Sequence, residues 1–255
     1  MFRPRVIPVL LLRNKGLVKT ERFRNPRYIG DPINAVRIFN EHRADELVFL
    51  DILASREDRL IPLDFVHDVG EEANMPFAVG GGIRSLRDIR NILSAGAEKV
   101  VLNSIAAEDP DFIASAADSF GTSTITVCID VKQKYFGGPQ TWTLGGTRAT
   151  GYAPEEFARL AEKKGAGEII VQSISRDGTM VGYDLDLISR VCEAVTIPVV
   201  GLGGAAGMHD LRRAYSQTHA SGLAAGSMFV FHGPKRGVLI NYPDRTEIKA
   251  LRLPT

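Results

Sequence analysis

The chain has 255 residues, of which 44% are hydrophobic and 24% charged, a composition typical of a soluble globular protein with a large buried core. Its net charge of +1 excludes a broad basic surface for nucleic acid or an anionic membrane, so any anionic substrate must be held by local groups. The two cysteines, Cys128 and Cys192, are too few for a disulfide framework, and no residue spacing points to a metal or another cofactor.

The amino-terminal apolar run covers only residues 6–12, and no small-residue cleavage site follows it. It is too short for a membrane span and does not have the pattern of a signal peptide. We therefore expect a cytoplasmic protein without a membrane partner.

Short apolar runs predict eight buried strands of a parallel sheet. They cover residues 6–12, 46–52, 76–79, 99–103, 124–131, 168–174, 197–202 and 223–225. Asp31 followed by Pro32 predicts a capped helix after the first strand. The polar stretch 13–31 predicts an active-site loop, and residues 132–152 predict a hairpin over one end of the sheet.

The second half of the chain repeats the first at a shift of 122 positions. Pro198, Gly203 and Asp210 then fall on Pro76, Gly81 and Asp88. The repeated unit is a strand, a glycine turn and a helix. The sequence therefore predicts one α/β domain, a single (β/α)8 TIM barrel made of half-barrels at about 1–121 and 122–255.

Glycine and hydroxyl residues follow several predicted strands. Backbone amides at such turns hold phosphate without a net positive charge, and one cluster in each half would suit a substrate with two phosphates. The alternative is that these glycines only permit tight turns. The candidates are Gly82, Asn103 and Ser104 in the first half, and Asp177, Gly178, Thr179, Gly203, Gly204, Ala225, Gly226 and Ser227 in the second.

Asp130 ends the predicted fifth strand, where a carboxylate at the barrel mouth can act as a general acid or base. Its counterpart in the first half, at a shift of 119, is Leu11, so a symmetric pair of carboxylates is absent. Asp51 ends the second predicted strand, and a structural role is equally compatible with its position.

Four charged residues begin predicted strands at the opposite end of the barrel. They form either a salt-bridged plug that caps the core or a functional ring. These residues are Arg5, Glu46, Lys99 and Glu168.

The chain resembles the cyclase subunit of imidazole glycerol phosphate synthase over nearly its whole length. The motifs that carry the resemblance are DELVFLDI at 45–52, VGGGI at 79–83, GAGEI at 165–169 and RDGTMVGYD at 176–184. The resemblance implies a lyase of histidine biosynthesis that combines ammonia with a bis-phosphorylated ribulosyl aminoimidazole carboxamide. It also implies that both glycine clusters bind substrate phosphates, that Asp130 is catalytic, and that the four charged residues gate ammonia from a glutaminase subunit docked on the amino-terminal face.

One family motif is broken. Where the family has Cys-Leu-Asp-Val-Lys with a second catalytic aspartate, this chain has VLLLR at 9–13, and Leu11 cannot transfer a proton. The segments LLLRNKGLVKT and FVFHGPKRGVLINYP resemble divergent second copies of this subunit associated with surface-polysaccharide gene clusters. That resemblance implies an alternative, in which the chain delivers ammonia alongside a glutaminase and a sugar amidotransferase that makes an acetamidino sugar.

Overall fold

The computed structural model describes residues 4–133 and 137–251. Its strands, in chain order, are β1 (Arg5–Arg13), β2 (Gly16–Glu21), β3 (Arg24–Gly30), β4 (Leu47–Asp51), β5 (Phe77–Gly80), β6 (Lys99–Leu102), β7 (Ile125–Gln133), β8 (Pro139–Thr143), β9 (Arg148–Ala149), β10 (Glu168–Ser173), β11 (Val199–Leu202), β12 (Gly222–Ala225), β13 (Phe231–His232) and β14 (Gly237–Val238). The α-helices are α1 (Pro32–His42), α2 (Leu63–Glu72), α3 (Leu86–Ser94), α4 (Ser104–Glu108), α5 (Asp111–Phe120), α6 (Pro154–Lys163), α7 (Leu185–Ala194), α8 (Met208–Gln217) and α9 (Arg245–Ala250).

Eight of these strands pair in parallel and close into a barrel, which confirms the predicted (β/α)8 fold. The order around the barrel is β1, β4, β5, β6, β7, β10, β11 and β12, and β12 pairs again with β1. The predicted strands match these eight within two residues at each end. No helix in the described ranges is long and apolar enough to cross a membrane.

Strand β1 shows why the barrel strands are continuously apolar. Ile7, Val9 and Leu11 point into the barrel interior, whereas Leu10 and Leu12 pack against the surrounding helices. Both faces of the strand are therefore buried, as is typical of parallel sheets. Asp31 caps α1 as predicted, because its side chain accepts a hydrogen bond from the backbone N–H of Asn34 at 2.8 Å.

The loop conformation predicted for 13–31 was wrong, because this stretch forms the antiparallel hairpin β2–β3, although it does line the cavity at the barrel mouth. Strand β2 pairs antiparallel with the carboxyl end of β1, with Leu11 opposite Val18. Residues 17–20 are buried, although Lys19 and Thr20 are polar. Because polar residues occupy these buried positions, the segment lacks the apolar pattern that predicts a strand.

Asp130 lies inside a strand rather than at its end, which corrects the predicted boundary. Strand β7 runs on to Gln133 because β8 pairs with it antiparallel, with Asp130 opposite Trp142. Strands β8 and β9 form the hairpin predicted within 132–152, and the amine of Lys132 lies 4.7 Å from the Trp142 ring centroid.

The carboxyl-terminal segment is fastened to the barrel through Tyr242. The Tyr242 hydroxyl donates a hydrogen bond to the carbonyl of Val6 at 2.9 Å, and its ring stacks on Phe229. This segment also brings Arg236 of the turn between β13 and β14 to the barrel mouth, where it meets Gly178 and Thr179.

Candidate functional site

A cavity of about 490 Å3 opens at the carboxyl ends of the barrel strands, where (β/α)8 enzymes place their active sites. Four of the predicted site residues line it together: Gly82, Asn103, Ser104 and Asp130. Leu11 lines the same cavity, together with residues of the β2–β3 hairpin. The structure therefore unites the first-half phosphate candidates with the candidate acid or base.

Asp130 is buried and lines this cavity. The Asn103 amide donates to one carboxyl oxygen at 3.3 Å, and the Cys128 thiol donates to the other at 3.5 Å. Burial raises the pKa of Asp130 to about 7, against the effect of these two hydrogen bonds. A carboxyl group with that pKa can both accept and donate a proton near neutral pH.

Position 11 of β1, which lines the same cavity as Asp130, is apolar. Leu11 is only 8% exposed and belongs to the cluster that fills the barrel interior, where it lies among Val9, Val48 and Val101. No carboxylate from the first strand therefore enters the cavity to work with Asp130.

The other carboxylate at this rim, Asp51, is engaged in holding the β4 turn. It accepts hydrogen bonds from Arg59 at 2.6 Å and from the backbone N–H groups of Leu53 and Ala54. This full set of partners supports a structural role, which the sequence left open.

The first-half cluster, which we call the first cradle, consists of Gly82, Asn103 and Ser104 and lines this cavity. Gly82 has a φ of +71°, and a Cβ there would lie 1.8 Å from the carbonyl oxygen of Arg59, so only glycine fits. Ser104 begins the short helix α4, which the sequence did not predict. Within the described ranges, the backbone N–H groups of Gly82 and Ser104 donate no hydrogen bond to the protein.

The second-half cluster does not line this cavity, because the β2–β3 hairpin lies against it. Asp177 accepts hydrogen bonds from the Thr20 hydroxyl at 2.8 Å and the Phe23 N–H at 3.1 Å. The Thr20 carbonyl lies 2.0 Å from where a Gly178 Cβ would be. The remaining predicted members of this cluster are Thr179, Gly203, Gly204, Ala225, Gly226 and Ser227.

Lys19 lies inside this second cluster, and sequence reasoning missed it. Its amine donates to the carbonyl of Val9 at 2.5 Å and lies 2.2 Å from where a Gly226 Cβ would be. Burial lowers the pKa of Lys19 to about 8, and the nearby Asp177 opposes that shift. No local pattern marked Lys19, because residues 17–20 do not alternate between apolar and polar side chains.

We expect a phosphate ion to bind at the first cradle in crystals grown in phosphate. The unpaired N–H groups of Gly82 and Ser104 are donors that a phosphate satisfies, and the start of α4 favours negative charge. The check is electron density for an ion within hydrogen-bond distance of both amides. An empty cradle, or amides bonded to other protein atoms, would contradict the assignment.

The four charged residues at the amino-terminal end meet in a closed ring. Lys99 contacts Glu46 and Glu168 at 3.1 Å each, and Arg5 hydrogen-bonds to the same two carboxylates. The ring therefore joins β1, β4, β6 and β10. Above it, small and branched apolar side chains fill the interior up to the mouth, among them Ile7, Val48, Ala78, Val101, Ile170, Val200 and Ala224.

A surface depression of about 600 Å3 lies beside this ring and is lined by Arg5, Lys99 and Glu168. Glu98, next to Lys99, is exposed, and its carboxylate accepts a hydrogen bond from the Phe77 N–H at 2.9 Å.

Comparisons with known proteins show the family to which this chain belongs. Residues 5–234 match the family described as histidine biosynthesis protein. A provisionally named imidazole glycerol phosphate synthase subunit, hisF2, from Pseudomonas aeruginosa is 45% identical over 96% of this chain and 97% of its own length. The imidazole glycerol phosphate synthase subunit HisF of Caulobacter vibrioides is 42% identical over 91% of this chain and 89% of its own length. The chain therefore belongs to the histidine biosynthesis protein family, as a divergent relative of the subunit HisF.

Proposed function

We propose that this chain is the ammonia-using, synthase-type subunit of a glutamine amidotransferase. Ammonia from a glutaminase subunit enters at the four-residue ring and leaves at the mouth cavity beside Asp130. The observation that carries the proposal is the closed ring of Arg5, Glu46, Lys99 and Glu168 at the end opposite the cavity.

Stability alone is a weak reason to build such a ring. Desolvating charged groups is costly, and a buried ion cluster is often no more stabilising than well-packed apolar residues. A polar ring that opens by exchanging its ion pairs suits the passage of a small neutral molecule such as ammonia. The depression beside Lys99 and Glu168 supports docking of the glutaminase on this face as a heterodimer.

At the mouth, the first cradle is proposed to hold a phosphate of the acceptor while Asp130 moves the proton. A second phosphate at the second-half cluster stays a prediction. The Lys19 amine lies next to Gly226 of this cluster and donates to the Val9 carbonyl. The relatives are named as imidazole glycerol phosphate synthase subunits. In this chain Leu11 stands where the family has one of its two catalytic aspartates, and the other carboxylate in the cavity, Asp51, is bound by Arg59.

Leu11 favours a second candidate function, in which the barrel passes ammonia to another enzyme and completes no cyclisation itself. The sugar amidotransferase of a surface-polysaccharide pathway is the proposed recipient. The retained cradle and the tuned Asp130 favour the first candidate, because a simple conduit needs neither.

Complementation of a histidine auxotroph that lacks the cyclase separates these candidates from an ordinary cyclase. We expect poor growth or none, because loss of one positioned acid or base commonly lowers the rate by about 10²- to 10⁴-fold. The matched control is the same strain carrying an authentic cyclase gene at equal expression. Strong complementation by this chain would show that Leu11 does not limit the reaction.

A further inference from the structure

Gln172 is a buried polar residue at the mouth cavity that the function proposed above does not use. It lies on β10, is 5% exposed, and lines the cavity together with Asp130. Two residues earlier on the same face of β10, Ile170 belongs to the apolar cluster that fills the barrel interior. Gln172 therefore marks the point on this strand where the apolar interior ends and the polar mouth begins.

The carboxamide of Gln172 has no partner among the residues that the structure describes. Four buried polar side chains in this part of the chain line the cavity: Thr20, Asp51, Asp130 and Gln172. The first three are hydrogen-bonded to other protein groups. The Gln172 side chain makes no hydrogen bond to a described residue. Since buried polar groups in proteins are generally paired, a carboxamide left over at a cavity wall indicates a position for a ligand.

The strand register places Gln172 beside Asp130. The two residues are Cα partners on the adjacent parallel strands β7 and β10, and both line the cavity. Neighbouring strands lie about 4.8 Å apart, and a hydrogen bond between nitrogen and oxygen spans about 2.9 Å. A molecule with a single nitrogen atom can therefore reach both side chains at once.

Ammonia is the molecule that must stop at this level of the barrel in the proposed function. It has three N–H donors and one lone pair, and the lone pair must stay free to attack an acceptor. The Asp130 carboxylate and the Gln172 Oε1 atom are hydrogen-bond acceptors that can each take one N–H. Because an amide oxygen carries no charge, it does not favour ammonium over ammonia as a second carboxylate would.

The neighbouring amide of Asn103 cannot take this role. Its nitrogen donates to the Cys128 carbonyl at 3.0 Å and to Asp130 at 3.3 Å, and its oxygen lies 3.3 Å from the Ser104 hydroxyl. Asn103 thus orients Asp130, whereas the oxygen of Gln172 stays available.

We propose that Asp130 and the carboxamide of Gln172 form an ammonia subsite. Ammonia that arrives through the barrel interior donates one hydrogen to each side chain, and its lone pair faces the acceptor in the cavity. The subsite rests on the proposed function, which supplies the ammonia from the ring at the opposite end. It adds to that function a binding residue, Gln172, for the nucleophile.

Steady-state kinetics at fixed pH test the subsite, with free ammonium and the bis-phosphorylated ribulosyl aminoimidazole carboxamide as substrates. Gln172→Leu is made in the full chain and in Leu11→Asp, whose higher expected turnover makes both KM values measurable. It nearly keeps the size of the side chain and removes the accepting oxygen. We expect the KM for ammonium to rise about three- to tenfold, the effect of one hydrogen bond, while the KM for the acceptor stays unchanged. Ser55→Ala, which removes another polar side chain from the cavity wall, is the control and should change neither KM.

Three outcomes would overturn the subsite. The first is an unchanged KM for ammonium in Gln172→Leu. The second is a rise in the KM for the acceptor alone, which would show that Gln172 binds the acceptor. The third is an equal rise in both KM values, which would indicate a structural role. If Gln172→Leu does not fold, Gln172→Asn, whose carboxamide is one methylene further from Asp130, replaces it in the same comparison.

Failure of the proposed function gives a different result. It would appear as the absence of ammonium-dependent product in every variant, Leu11→Asp included, and the subsite would fall with it. Failure of the subsite alone leaves ammonium-dependent product formation in place.

Discussion

Replacing Leu11 by aspartate should raise the ammonia-dependent formation of imidazole glycerol phosphate by about 10²- to 10⁴-fold, the usual contribution of one positioned acid or base. Position 11 faces the cavity that holds Asp130, so the new carboxylate completes a pair at the mouth. The substitution also removes a buried leucine from the interior cluster, and we expect a loss of stability of about 2–5 kcal/mol. The measurement is product formation with free ammonium, after circular dichroism has shown that the variant is folded.

Leu11→Asn is the matched control, because asparagine has the size of aspartate without its titratable proton. It should lose similar stability and gain no activity. Equal activity of the two variants would show that added polarity, rather than proton transfer, is responsible. No gain in either would mean that the rest of the mouth has also diverged from the cyclase.

Asp130→Asn should stabilise the protein at neutral and alkaline pH. The carboxyl group has a folded-state pKa of about 7 because of burial, against 3.8 for the unperturbed group. Between these values the unfolded state binds fewer protons than the folded state, so this group lowers the free energy of unfolding as pH rises from about 4 to 7. Between pH 4 and pH 7 this effect lowers the free energy of unfolding by on the order of 4 kcal/mol in total.

Urea unfolding of wild type and Asp130→Asn at several pH values measures this effect. The stability difference should grow from pH 4 to pH 7 and level off above it. Asp118→Asn, at an exposed position of α5, is the control and should show no such trend. A constant difference across this range would mean that the Asp130 carboxyl group has an ordinary pKa.

The strands and the ring could be predicted from the sequence because their signals are local. Continuous apolar runs mark strands buried on both faces, and a charged residue at the start of such a run marks the end of the barrel. Glu46 and Glu168 were therefore placed correctly without knowledge of their partners.

The layout of the mouth depends on contacts between residues far apart in the chain, which no local pattern reveals. Lys19 is buried, its amine donates to the Val9 carbonyl, and the charge of Asp177 favours its protonated form. A charged residue thus occupies a buried strand position that the sequence pattern assigned to a loop. The second-half cluster is kept out of the cavity by Thr20 and by Arg236, which comes from the carboxyl-terminal segment. The pKa of Asp130 likewise follows from burial rather than from its sequence neighbours.

The passage of ammonia through the ring is tested most directly by Lys99→Met in a complex reconstituted with the glutaminase subunit. The quantity to measure is the ratio of glutamine-dependent to free-ammonium-dependent product formation. Arg5 still pairs with Glu46 and Glu168 in this variant, so the fold should persist. With the ring opened, ammonia exchanges with solvent and the ratio should fall. Lys163→Met, which removes an exposed lysine of α6, should leave it unchanged. An unchanged ratio in Lys99→Met, accompanied only by lower thermal stability, would show that the ring is a structural plug.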